Sequence, residues 1–60
     1  MYVVLPPGAP ANSTQWFAIV DYEEWMNYTK GAIAELQVTK HCGSSREAEL
    51  YKNKLNSELQ

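Results

Sequence analysis

The adjacent pair His41-Cys42 is where nucleophilic or metal chemistry would start in this sequence. A thiolate activated by an imidazole needs both side chains within hydrogen-bond reach, and a zinc ion needs three or four nitrogen, sulfur or oxygen ligands. Neighbours on a strand point to opposite faces, so the pair is expected to split, with His41 beside a turn and Cys42 half-buried. The chain holds no second His or Cys to complete a metal set. Asp21, Glu23 and Glu24 offer carboxylates for acid–base work, which requires a pocket that drives their pKa values apart. Small-molecule clefts measure roughly 300–1,000 Å³, a volume that 60 residues rarely enclose. Glycine-rich phosphate loops, G-x-S-x-G and H-E-x-x-H are missing from the sequence. Catalysis, a metal and a cofactor are therefore not expected, and the functional reading turns to binding.

Charge narrows the class of partner. The formal net charge is −2, unevenly distributed. Residues 1–39 carry Lys30 against Asp21, Glu23, Glu24 and Glu35, giving −3; residues 40–60 carry Lys40, Arg46, Lys52 and Lys54 against Glu47, Glu49 and Glu58, giving +1. Affinity for a phosphate backbone needs several uncompensated cations on one surface, so a sequence pI near 5.1 disfavours direct nucleic-acid binding. A nucleic-acid module built on Lys40, Arg46, Lys52 and Lys54 is the rival reading. Pro7-x-x-Pro10 has the spacing of a minimal polyproline ligand, without an arginine beside it to orient one, and is read as loop. Asn12-Ser13-Thr14 and Asn27-Tyr28-Thr29 match the glycosylation triplet and would matter only in a secreted chain.

One segment combines the side chains that make protein interfaces. Between Asp21 and Tyr28, the acids Asp21, Glu23 and Glu24 interleave with Tyr22, Trp25, Met26 and Tyr28. Aromatic residues and methionine supply hot-spot contacts, and flanking acids steer toward a basic surface. The competing reading makes Trp25 and Met26 caps of a small core. Leu50 is the other candidate contact. With 100° per residue, Ala48, Tyr51, Leu55 and Leu59 form one helical stripe, and Leu50 lies roughly 140° from its centre, among Arg46, Lys54 and Ser57. Isolated surface leucines are common. The candidate partner-binding residues are thus Asp21, Tyr22, Glu23, Glu24, Trp25, Tyr28 and Leu50.

The elements that must position these residues follow from local pattern. Tyr2-Val3-Val4-Leu5 is β-branched and aromatic and stops at Pro6-Pro7-Gly8, as an edge strand would. Residues 6–14 are a Pro/Gly/Ser-rich loop. Trp16-Phe17-Ala18-Ile19-Val20 reads as a central strand, apolar on both faces, one face for a helix and the other for a loop or partner. Ala34-Glu35-Leu36-Gln37-Val38-Thr39 alternates and reads as a half-buried strand. Residues 21–31 are then a long hairpin connection with room for one or two helical turns, with Asp21 as the cap and Gly31 as the close of such a helix. Ser44 with Glu47 three residues on starts a helix over 44–59.

These elements make one domain over residues 1–60. Its fold class is α+β, a small antiparallel sheet of two long strands plus an N-terminal edge strand, packed against one C-terminal helix. The expected core is Val4, Ile19 or its face partners, Leu36, Val38, Ala48, Tyr51 and Leu55. A chain this short hides only roughly 60% of its unfolded surface and commonly borrows stability from disulfides, a metal or a partner. Its single cysteine excludes an internal disulfide, which leaves a partner or a homodimer. Without a signal-like apolar run or a membrane-length segment, the expected setting is soluble and cytoplasmic.

The order "WFAIVD" followed by "AELQVTKHCGSSREAELYKNKLN" resembles a pattern in small phage and bacterial ββα accessory proteins. There, a hairpin precedes a Ser-x-Arg-Glu-Ala-Glu helix ending in Leu-Asn. The resemblance spans Trp16 to Asn56 and is carried by Trp16, Asp21, Ser44, Arg46, Glu47, Ala48, Glu49, Leu55 and Asn56. It implies an accessory protein without chemistry of its own, one that binds and inhibits or redirects a host multisubunit enzyme such as RNA polymerase in the host cytoplasm. A structural oligomer subunit is the remaining alternative.

Overall fold

The computed structural model describes every residue except Pro10, Ala11, Ser13, Leu59 and Gln60. The Pro7-x-x-Pro10 spacing, the Asn12-Ser13-Thr14 triplet and the place of Leu59 in its stripe therefore lie outside the described residues. In chain order the elements are β1 (Tyr2–Leu5), β2 (Phe17–Asp21), α1 (Tyr22–Thr29), β3 (Lys40–Cys42) and α2 (Ser45–Glu58). The fold is α+β: a three-stranded antiparallel sheet in the order β1-β2-β3, packed against the C-terminal helix, with one further short helix. The apolar run is central, as its two-sided character requires, and β1 is an edge. Trp16 lies outside β2, with 44% of its surface exposed.

The chain leaves β1 through a turn set by its residue types. Ala9 N–H donates to Pro6 C=O at 3.2 Å, with Pro7 and Gly8 between them and Gly8 at φ 84°. Proline followed by a left-handed glycine is the residue pattern of a type II turn. The Asn12 amide then donates to Pro6 C=O at 2.9 Å and to Trp16 C=O at 2.8 Å. One side chain thereby ties the start of the loop to its end.

Alternation along β1 and β2 divides the interior into two clusters, one on each face of the sheet. Ile19 and Cys42 pack with Ala48 of α2, joined by Tyr2, Val4, Phe17, Tyr51 and Leu55. Leu5, Ala18 and Val20 form the other cluster, joined by Val3, Ala9, Trp25, Leu36 and Val38. Ile19, Ala18, Val20 and Ala48 are fully buried. The expected core members are all present, but Leu36 and Val38 lie on the face away from α2.

That placement corrects the strand expected over Ala34–Thr39. Only Lys40–Cys42 joins the ladder, pairing Phe17 with Cys42, Ala18 with His41 and Ile19 with Lys40. The preceding residues carry no strand, although Thr39 N–H reaches Ile19 C=O at 2.8 Å. The alternation is nevertheless real from Glu35 onward: Leu36 and Val38 are half-buried, whereas Glu35, Gln37 and Thr39 are exposed; Ala34, in the phase of Leu36, is exposed as well. A segment laid across a sheet face hides alternate side chains as a strand does, without sharing its hydrogen bonds. The face assigned to a loop or partner is covered by the chain itself, through α1 and this crossing segment.

Candidate functional site

The acid–aromatic segment forms α1, a regular helix of two turns within the connection where one or two turns were expected. It forms because both ends are satisfied. Asp21, in extended conformation at φ −70° and ψ 133°, is the N-cap; its Oδ1 accepts from the backbone N–H of Glu23 at 2.9 Å and of Glu24 at 3.3 Å. Glu23 and Glu24 then occupy the first turn, where negative charge complements the helix dipole. At the other end Gly31, at φ 80°, donates to Tyr28 C=O at 3.1 Å, and Ala32 donates to Asn27 C=O at 2.8 Å. This pair of bonds is a Schellman closure, and a left-handed residue at its turn favours glycine. Eight residues that would be marginal alone are thus held at both termini.

Fixing the helix also fixes which side chains face out. Trp25 is half-buried and packs against the Leu5–Ala18–Val20 cluster. Its ring stacks with Tyr28, centroids 6.1 Å apart and planes at 19°. Trp25 therefore serves the core, with Tyr28 as its partner. Tyr22, with 47% of its surface exposed, and Glu23 project outward, and Glu24 is half-buried beside them. Asp21 has its carboxylate engaged in capping. Of the sequence-selected residues, Tyr22, Glu23 and Glu24 make up the outward part of this surface.

Leu50 belongs to a different surface. The stripe of Ala48, Tyr51 and Leu55 packs on the sheet face opposite Trp25, and Leu50 remains 63% exposed. Arg46 and Lys54, one turn to each side of it, are also exposed. The seven candidates hence divide between the two layers: six on or capping α1, and Leu50 on α2.

Of the four cations of the rival reading, one is paired with an acid and one is placed over an aromatic ring. Lys52 Nζ lies 2.8 Å from Glu49 Oε2, and Lys40 Nζ stands 5.2 Å from the centroid of the Tyr51 ring. Arg46 and Lys54 carry no such contact among the described residues. His41 is exposed while Cys42 is 2% exposed in the α2-side cluster, so the pair diverges from strand geometry alone. Among the described residues no group of three or more His, Cys, Asp or Glu converges on a cation position. Nor is any described helix long and apolar enough to cross a membrane.

Two residues stand out only in three dimensions. Trp16 is an exposed aromatic beside Gly43; its membership of an apolar run concealed this. Asn56 is a polar residue at a half-buried helix position, and the resemblance had marked it only as the end of a helix motif.

Comparison with known proteins adds no further assignment: no family model, no curated protein and no solved structure matches this chain.

Proposed function

We propose that this protein acts by binding another protein through the outer face of α1, and that the surface it meets is basic. The observation that carries this reading is the exposed Tyr22 and Glu23 standing with Glu24 on the first turn of a helix capped at both ends. A rigid aromatic beside acids costs little entropy to immobilise and gains both contact area and steering. The resemblance noted in the sequence makes a host multisubunit enzyme such as RNA polymerase the first partner to try, with the protein acting stoichiometrically in the cytoplasm. Engagement of Lys52 and Lys40 within α2 and against Tyr51 weighs against the nucleic-acid alternative.

The test is a measured affinity for purified RNA polymerase, at low and at physiological salt, of the wild type and two variants. Tyr22→Ala should raise the dissociation constant by about tenfold or more, the scale of an interface contact worth over 1 kcal/mol. Glu23→Lys with Glu24→Lys should slow association, with an effect that shrinks as salt screens the charges. Binding that ignores all three substitutions would remove α1 from the interface. Tight binding of duplex DNA at physiological salt would promote the nucleic-acid reading instead.

A further inference from the structure

The side chain of Asn56, near the end of α2, is hydrogen-bonded to the backbone of Tyr2 through both of its polar groups. Tyr2 N–H donates to Asn56 Oδ1 at 2.6 Å, and Asn56 Nδ2 donates to Tyr2 C=O at 3.2 Å. A side-chain amide presents an N–H group and a C=O group side by side, the same two kinds of group that a neighbouring strand residue would offer. Asn56 therefore stands in for one residue of a missing fourth strand.

The register shows what it covers. Tyr22 N–H donates to Met1 C=O at 2.7 Å, and the pairing of Val3 with Val20 and Leu5 with Ala18 continues in the same phase. Alternation in an antiparallel ladder then turns the backbone groups of Val3 and Leu5 toward β2, and those of Tyr2 and Val4 outward. The outward edge of β1 is accordingly Tyr2, held by Asn56, and Val4. The strand's sequence, Tyr-Val-Val-Leu, has no charge and no proline, so apart from its shortness it carries none of the sequence devices that protect an edge. Protection falls to Asn56.

We propose that the β1 edge is a latent strand-pairing surface for a second copy of this chain, and that Asn56 keeps it closed. The self-complementary register is specific. Pairing Tyr2 with Val4 of the second copy, about a two-fold axis through Val3, satisfies all the outward N–H and C=O groups of both strands. Opening requires the end of α2, from Asn56 to Glu58, to move aside. That last turn carries no basic residue, and Glu58 places a negative charge at the negative end of the helix dipole. The bolt sits on the part of α2 that opens most easily. This inference is independent of the surface on α1.

The experiment compares wild type, Asn56→Ala and Asn56→Ala with Val4→Pro by sedimentation, each checked for folding by circular dichroism. Asn56→Ala should double the sedimenting mass. Val4→Pro should restore the mass of Asn56→Ala to the wild-type value, because proline removes an outward donor that the native ladder does not use. Val3→Cys supplies a register test: opposed residues of a non-hydrogen-bonded pair lie about 4.5 Å apart between Cα atoms, within disulfide reach. The cysteine should cross-link two copies under oxidation in the Asn56→Ala background and not in the wild-type background. A folded Asn56→Ala that keeps the wild-type mass, a mass increase that Val4→Pro leaves intact, or equal cross-linking in both backgrounds would each overturn the proposal. Should Asn56→Ala fail to fold, amide exchange in the wild type decides: the Tyr2 N–H is protected and the Val4 N–H exchanges, whereas equal exchange of the two overturns the closure by Asn56.

Discussion

The two faces of the sheet are covered in different ways. On one face a 14-residue helix lays the stripe of Ala48, Tyr51 and Leu55 against Ile19 and Cys42. On the other, an eight-residue helix contributes Trp25, and the irregular chain after it contributes Leu36 and Val38. The α2 side is organised by periodic burial. The α1 side is organised by termini, since Asp21 and Gly31 satisfy the ends of a helix too short to persist otherwise. A long amphipathic element can be held mainly by its face; a short one depends on caps plus one large anchor. The element depending on caps is also the one that leaves an acid–aromatic turn in solvent.

This contrast can be broken at several points. The largest loss is expected from Ile19→Ala. Ile19 is fully buried at the centre of the α2-side cluster, and truncating such a side chain costs about 2–5 kcal/mol. Folded domains of this size hold roughly 0.05–0.15 kcal/mol per residue, so thermal melts should show the variant largely unfolded. A melt matching wild type would mean α2 does not pack as described. Trp25→Ala comes next, at about 2 kcal/mol, below the buried-aromatic range because the ring is only half-buried. Amide exchange should accelerate first in α1, with α2 retaining its protection; uniform acceleration would show that the two faces are one cooperative unit.

Gly31→Ala sharpens the comparison by acting on a terminus alone. An added Cβ at Gly31 meets no atom of the described residues within 4 Å, so its cost is conformational, about 1 kcal/mol for a left-handed non-glycine residue. The melting temperature should fall by several degrees, with α1 exchange again affected most. An unchanged melt would detach the Schellman closure from the stability of α1. Leu50→Ala should do least. With Leu50 largely exposed, its stability change should stay within about 0.5 kcal/mol, and a larger drop would place Leu50 in the core.

Much of the fold and part of the candidate surface were legible along the chain, because the signals involved are local. Ser44 accepts from Glu47 N–H at 3.2 Å as the capping pattern requires, and helical phase alone turned Leu50 outward. Asp21 and Gly31 likewise serve as the cap and the close of α1, and its two turns are the upper of the two lengths expected for the segment, reached because its termini are stronger than the propensity between them. The two-sided apolar run set β2 at the centre, and strand geometry separated His41 from Cys42.

Other features were decided by tertiary structure alone. Burial alternates identically for a paired strand and for a segment lying on a sheet, so Ala34–Thr39 could be distinguished only by whether its backbone groups found a ladder. Trp25 could face core or solvent until the Leu5–Ala18–Val20 face of the sheet was seen to take its cover from α1 and the segment after it. Asn56 carries no local signal for its contact with Tyr2, 54 residues away. Periodicity and caps act within a few residues, and the sequence determined those. Which face a segment covers, and which edge a side chain closes, depends on where distant backbone groups come to rest.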